Sequence, residues 1–173
     1  MITDQRLAAG GMPTLGLLIE KADHLVQTIA SPSIVQLVLR LALAVPFWRS
    51  GILKWGGFLR LNDTAVTLFT DEFMLHLPGG PYHYPAPTVM AYLSAGTEFF
   101  GGLLLIVGFL TRFAALATTI NMLVAIFKVH FKNGFTAQGN YQFPLALGVI
   151  AFALIFFGAG PISIDWAFGK KGR

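Results

Sequence analysis

Apolar residues run almost unbroken through four stretches of this chain, and polar residues gather between them. From Pro32 and Ser33, a good helix start, the sequence stays apolar from Ile34 to Phe58, roughly 25 residues and long enough to cross a hydrocarbon layer about 30 Å thick. Three further apolar runs cover about 88–110, 112–130 and 143–160. Almost nothing separates the second run from the third, which requires a tight hairpin around Thr111 and Arg112. Ahead of these runs, Thr14 to Ala30 carries Leu15, Leu18, Ile19, Ala22, Val26 and Ile29 at helical spacing, with Glu20, Lys21, Asp23 and Gln27 largely elsewhere. It is too short and too charged to span a bilayer and reads as an amphipathic helix lying on the membrane surface. The one long connection, Arg60 to Pro87, predicts a short surface helix through Val66, Phe69, Phe73 and Leu77, then a Pro/Gly/Tyr loop from Leu77 to Pro87.

The pattern predicts an all-α, polytopic membrane protein: a four-transmembrane-helix bundle over residues 32–173, with an N-terminal extension over residues 1–31 that carries the amphipathic helix. Composition agrees. Of 173 residues, 55% are hydrophobic and only 12% charged, against roughly 25% charged in soluble domains, and the mean hydropathy is +0.67. So little charge cannot cover a water-facing surface, and the lipid bilayer is the expected partner. The net charge of +4 does not point to nucleic acid, because the cations flank apolar runs and no basic patch with interleaved aromatics is present. Short flanking segments with Arg6, Lys21, Arg112, Lys170, Lys171 and Arg173 on one side, against Lys54, Arg60, Lys128 and Lys132 on the other, predict N-in/C-in orientation. No secretory signal peptide is evident, so targeting is expected from the first span.

The chemistry open to the chain is narrow. There is no cysteine, which excludes disulfides, thiolate metal sites and thiol exchange by this chain itself. No Walker loop, dinucleotide fingerprint, nucleophile elbow or metalloprotease motif occurs. His76, His83 and His130 would share the outer side, with Asp71 and Glu72 nearby, but without the spacing of a metal site; wet-loop histidines are the plainer reading, and no metal is assigned. No catalytic residue can be named, and a self-contained enzyme is not the expectation.

The residues that demand explanation are the polar ones inside the apolar runs, because a charge near the bilayer centre costs about 2.5–3.5 kcal/mol even on lenient insertion scales. They are Arg40, Arg49, Glu98 and Asn121. Ser94, Glu98, Gly101, Leu105 and Gly108 form one helical stripe, which turns Glu98 inward. At about 1.5 Å per residue, Arg40 lies about 10 Å from the inner end of its span, Glu98 about 18 Å, Arg49 about 22 Å and Asn121 about 14 Å. Arg40 is therefore the expected partner of Glu98, with Arg49 the second choice across a helix bent at Pro46, while Lys54 snorkels to water. Two readings stay open: structural ion pairs that lock the bundle, or a mid-membrane polar pocket that binds a quinone or lipid head group or relays protons. Arg49 is the residue expected to mark such a pocket. No cofactor is identified from the residues; quinone is the one admitted.

Two segments, "RLALAVPFWRSGILKWGGF" from Arg40 to Phe58 and "EFFGGLLLIVGFLTRFAALATTINMLVAIF" from Glu98 to Phe127, resemble the DoxX family. The first has an early Arg, an aromatic and a Gly followed by Lys. The second has an acid, a Gly pair, an apolar run, Gly, Thr-Arg and a helix of small residues. Position by position, Arg40, Gly51, Lys54, Glu98, Gly101, Gly102, Gly108, Thr111 and Arg112 match. The resemblance covers roughly Ile34 to Gly158 and implies a bacterial inner-membrane protein with a four-helix core, acting as a membrane partner of an oxidoreductase in a quinone-linked system. It implies no catalytic residue. A small transporter, or a lipid- or quinone-binding membrane protein, is the alternative.

Overall fold

The computed structural model describes residues 13–126 and 141–170. Four long helices build the molecule: α2 (Pro32–Lys54), α4 (Pro87–Val107), α5 (Thr111–Val124) and α6 (Gln142–Phe157). α2 packs along α4, α4 against α5, α5 against α6, and α6 returns to α2. Leu43, Ala44 and Phe47 of α2, Leu105 of α4, Ala114 and Ala115 of α5, and Leu147, Ala151 and Leu154 of α6 meet in one buried core. The opposite faces of the same helices expose Val38, Leu53, Leu93, Phe100, Phe113, Val149 and Phe152. A water-soluble monomer does not present apolar surface continuously on every side of its bundle.

α2 and α4 are long and apolar enough to cross a membrane; α6 is apolar but shorter, at 16 residues. α5 has 14 residues over the described part of the chain. The expected third span, 112–130, runs past that part, and His130 also lies outside the described residues.

Helix ends follow local chemistry. Pro32 and Pro87 sit in the first turns of α2 and α4, where a missing N–H costs nothing. α2 runs through Pro46 and stops at Lys54 rather than Phe58, because Gly56 and Gly57 favour extended chain over helix. α4 ends at Val107. Gly108 takes the left-handed conformation at φ 68°, Leu110 follows at φ 48°, and α5 starts at Thr111. The tight hairpin therefore exists but turns through Gly108–Leu110, slightly before the expected place.

The expectation of an all-α chain needs correction in the long connection. β1 (Trp55–Gly57) pairs with β2 (Arg60–Leu61), and β3 (Met74–Leu77) pairs antiparallel with β4 (Gly80–His83). Pro78–Gly79 closes the second hairpin, with Gly79 at φ 103°, the positive φ that a Pro-Gly turn requires. The expected surface helix is split into α3 (Asp63–Thr67) and a single π-type turn, Leu68–Glu72. Asn62 caps α3 by accepting from the Ala65 amide at 2.6 Å. Leu61, Phe69, Ala91 and Ala95 form a second small core that seats the connection on the start of α4. At the N-terminus, α1 (Pro13–Ile29) is exposed along its described side chains, with Leu18, Ile19 and Val26 all near 60%. At the other end, α7 (Ile164–Lys170) follows a short turn after α6.

The α2–α4 contact is the closest in the bundle. A methyl group added at Gly51 would fall 2.6 Å from the Phe99 amide nitrogen, and one at Gly102 would fall 2.8 Å from that of Trp48. Backbone meets backbone at both points, so neither clash is relieved by turning a side chain. Gly51→Ala is expected to destabilise the protein by about 1–3 kcal/mol. Gly96→Ala, at a helical position with nothing within 4 Å, is expected to stabilise it by about 0.5–1 kcal/mol. Unfolding in detergent micelles followed by circular dichroism checks both signs.

Candidate functional site

The buried polar groups form two clusters about four turns apart along α2. The first centres on Glu98, the only acid within α2, α4, α5 or α6. Its carboxylate does not meet Arg40. Lys54 Nζ donates to Glu98 Oε2 in a short ion pair and also to Ser50 Oγ at 2.9 Å. Ser94 Oγ donates to Glu98 Oε1 at 3.0 Å. Ser50 lies one turn before Lys54, and Ser94 one turn before Glu98, so each charge receives support from its own helix as well as from its partner. The Lys54 and Glu98 side chains are only 16% and 10% exposed. Lys54 thus does not snorkel away to water as expected; its ammonium turns back to the carboxylate.

Aromatic side chains enclose the pair on one side. Trp48 stacks on Phe99 with ring centres 4.9 Å apart, and Trp55 meets Phe99 edge-on at 6.4 Å. On the other side, α4 and α5 touch at Gly101 and Thr118. Asn121, one turn along α5, therefore comes level with Glu98, one turn back along α4. The Asn121 amide nitrogen is buried with no hydrogen-bond partner among the described residues.

The second cluster centres on Arg40, which is 2% exposed. Its Nη1 donates to the carbonyls of Ala159 at 2.9 Å and Ile162 at 2.8 Å, and Nη2 reaches Ile106 O at 3.5 Å. Ile106 lies in the last turn of α4, where carbonyls lack helical partners and carry the negative end of the helix dipole, and Ala159 and Ile162 lie in the turn between α6 and α7. Asp165 completes the arrangement: its carboxylate accepts from the amides of Leu110 at 2.7 Å and Thr111 at 2.9 Å, at the start of α5, and its own amide donates to Gly108 O at 2.9 Å. Gln36 Nε2 donates to Phe157 O at 2.8 Å. One cation, one carboxylate and one amide thus tie together the ends of α2, α4, α5 and α6.

The four residues expected to share a pocket are therefore not assembled together. Arg40 and Lys54 lie on one face of α2, as their spacing requires, but fourteen residues apart, about 21 Å along the axis. The depth argument misplaced Glu98 because α2 and α4 run antiparallel in a register set by Gly51 against Phe99 and Gly102 against Trp48. That register brings Glu98 to the Lys54 end. Arg49, half a turn of helix away from Arg40, is exposed on the outer face and has no hydrogen bond or ion pair among the described residues. Lys54 and Asp165 were the partners sequence reasoning missed. Asp165 carried a legible signal, being the only acid after Glu98. Among the histidines, His24 is exposed on α1 and His83 Nδ1 lies 3.0 Å from Thr70 O. No group of three or more metal-binding side chains occurs among the described residues.

The Arg40 cluster makes a direct prediction. Lysine has the charge but not the fork that reaches several carbonyls at once. Arg40→Lys is expected to lose at least one charge-assisted bond and lower stability by about 2 kcal/mol. Gly108→Ala, whose methyl would fall 2.3 Å from Arg40 Nη1 at a left-handed backbone, is expected to cost more. Thermal unfolding in micelles ranks the two.

Comparison with known proteins identifies a family. A sequence model of the DoxX family matches residues 35–131, which contain Arg40, Lys54, Glu98 and the Gly108–Leu110 turn. A Haemophilus influenzae protein described as uncharacterized is 34% identical over 135 residues, covering 78% of this chain and 83% of its own. A second uncharacterized protein of the same organism is 33% identical over 119 residues, covering 64% of this chain and 82% of its own. No solved structure matches. The chain is a membrane protein of the DoxX type and belongs to the DoxX family.

Proposed function

We propose that the chain is a four-span protein of the bacterial inner membrane, with both termini in the cytoplasm, that serves as a non-catalytic membrane subunit of a quinone-linked oxidoreductase system. The observation that carries this reading is the closure of the buried charges. Glu98 is held by Lys54 and Ser94, and Arg40 by backbone carbonyls of α4 and of the turn after α6. A catalytic acid or base needs room for substrate and freedom to exchange a proton; these groups are instead spent on fixing helix positions. A rigid bundle with a folded connection on one end and an exposed amphipathic helix at the N-terminus suits a docking platform. In this reading α5 and α6 complete the four spans. The tagged protein, extracted in mild detergent, is expected to co-purify with an oxidoreductase and to show a thermal shift with a short-chain quinone. A clean single species with no quinone-dependent shift would contradict the proposal.

One observation favours the alternative, a transporter or a lipid- or quinone-binding protein with a polar mid-membrane pocket: among the described residues the Asn121 amide is unpartnered at the level of Glu98. Solute uptake into liposomes that is lost in Glu98→Gln, with folding retained, would select that reading.

A further inference from the structure

A groove of about 760 Å³ opens where the α4–α5 turn meets the segment joining α6 to α7. This is ample room for a small ligand or a lipid head group. Its walls include Thr111, Arg112 and Phe113 from the start of α5, Phe157 from the end of α6, and Trp166 from α7. Neither of the structural cations described above serves it: Arg40 is consumed by carbonyls, and Lys54 lies at the far end of α2.

Of the two charged side chains that line this groove, only Arg112 is free to meet an anion. Asp165, which also lines it, has both carboxylate oxygens engaged by the amides of Leu110 and Thr111. Arg112 has five N–H donors and one long bond, Nη2 to Phe156 O at 3.4 Å. The Thr111 hydroxyl is buried with no partner among the described residues, which leaves a donor for a ligand oxygen. The apolar part of the wall is equally marked. Phe113 is 71% exposed and Phe157 64%, so the groove runs without a break onto the outer apolar faces of α5 and α6.

We propose that this groove binds an anionic phospholipid, its phosphodiester on Arg112 and its glycerol and upper acyl chains against Phe113, Phe157 and Trp166. A cationic mouth joined to an apolar outer face is the pattern that recognises anionic lipid at a membrane surface. A free phosphate would use the first and leave the second bare. The proposal rests on the membrane placement of the bundle and is independent of any oxidoreductase partner.

The test is native mass spectrometry of the full chain in detergent, titrated with phosphatidylglycerol or phosphatidylcholine of matched acyl chains, in the wild type, Arg112→Gln and Arg49→Gln. One engaged cation gives about a five-fold preference for the anionic lipid. That preference is expected in the wild type and in Arg49→Gln, to fall to about one in Arg112→Gln, and to survive millimolar inorganic phosphate. Equal binding of both lipids, a preference that persists in Arg112→Gln or disappears equally in Arg49→Gln, or displacement by inorganic phosphate would overturn it. If Arg112→Gln does not fold, brominated phosphatidylglycerol decides. It should quench the emission present in the wild type and missing from Trp166→Phe, and brominated phosphatidylcholine at the same fraction should quench it less; equal quenching refutes the site. Release of the chain from membranes by alkaline carbonate would instead refute the membrane placement, which separates the two failures.

Discussion

A charge withdrawn from water has to find its counter-charge within the protein, and in this chain that requirement sets how α2 and α4 meet. Lys54 and Glu98 can pair only if their backbones approach closely, and the approach is made possible by Gly51 and Gly102, where neighbouring backbone occupies the space a methyl group would fill. Pair and glycines are therefore one device. The glycines bring the helices together, and the pair penalises any slip in register, because a shift of one turn would leave a buried ammonium and a buried carboxylate without partners. Breaking such a pair by removing one member costs about 3–5 kcal/mol, far more than the pair adds over an apolar replacement. Its value lies in specifying one arrangement.

About four turns back along α2 the same problem has a different solution. Arg40 has no carboxylate bonded to it. It takes the carbonyls of Ala159 and Ile162 in the turn after α6 and reaches Ile106 O in the last turn of α4, which satisfies those acceptors and places positive charge near the negative end of α4. Asp165 does the reverse at the start of α5, where amides are free. The two side chains act as opposite caps, and the ends of the four long helices are fixed by them rather than by apolar packing alone. The groove beside them keeps Arg112 available because Arg40 and Asp165 have already answered the local backbone.

Much of this was legible from the chain. The alternation of apolar runs with polar breaks marks the helices, and the stripe Ser94–Glu98–Gly101–Leu105–Gly108 correctly turns Glu98 to the interior. Arg40 and Lys54 share a face because fourteen residues return to nearly the same helical angle. What the pattern does not contain is axial register between helices. Depth counted from guessed helix ends placed Glu98 near Arg40, and an error of a few turns exchanged its partner. The hairpins in the long connection were hidden for a related reason: with apolar residues at Val66, Phe69, Phe73 and Leu77, helical spacing fits the sequence, and only packing on Ala91 and Ala95 decides otherwise. Asn121 is the residue whose environment is least resolved by local chemistry, since it faces Glu98's level without a bond to it.

The central claim is that Lys54 and Glu98 act as a single unit that fixes α2 against α4. A double-mutant cycle of Lys54→Met, Glu98→Gln and the combined variant, read as unfolding free energy in micelles, tests it most directly. Each single change is expected to cost about 3 kcal/mol, and the combined variant distinctly less than the sum, with a coupling of about 2 kcal/mol. Additive losses, with coupling below about 0.5 kcal/mol, would contradict the account and leave the helix seam to the glycines alone.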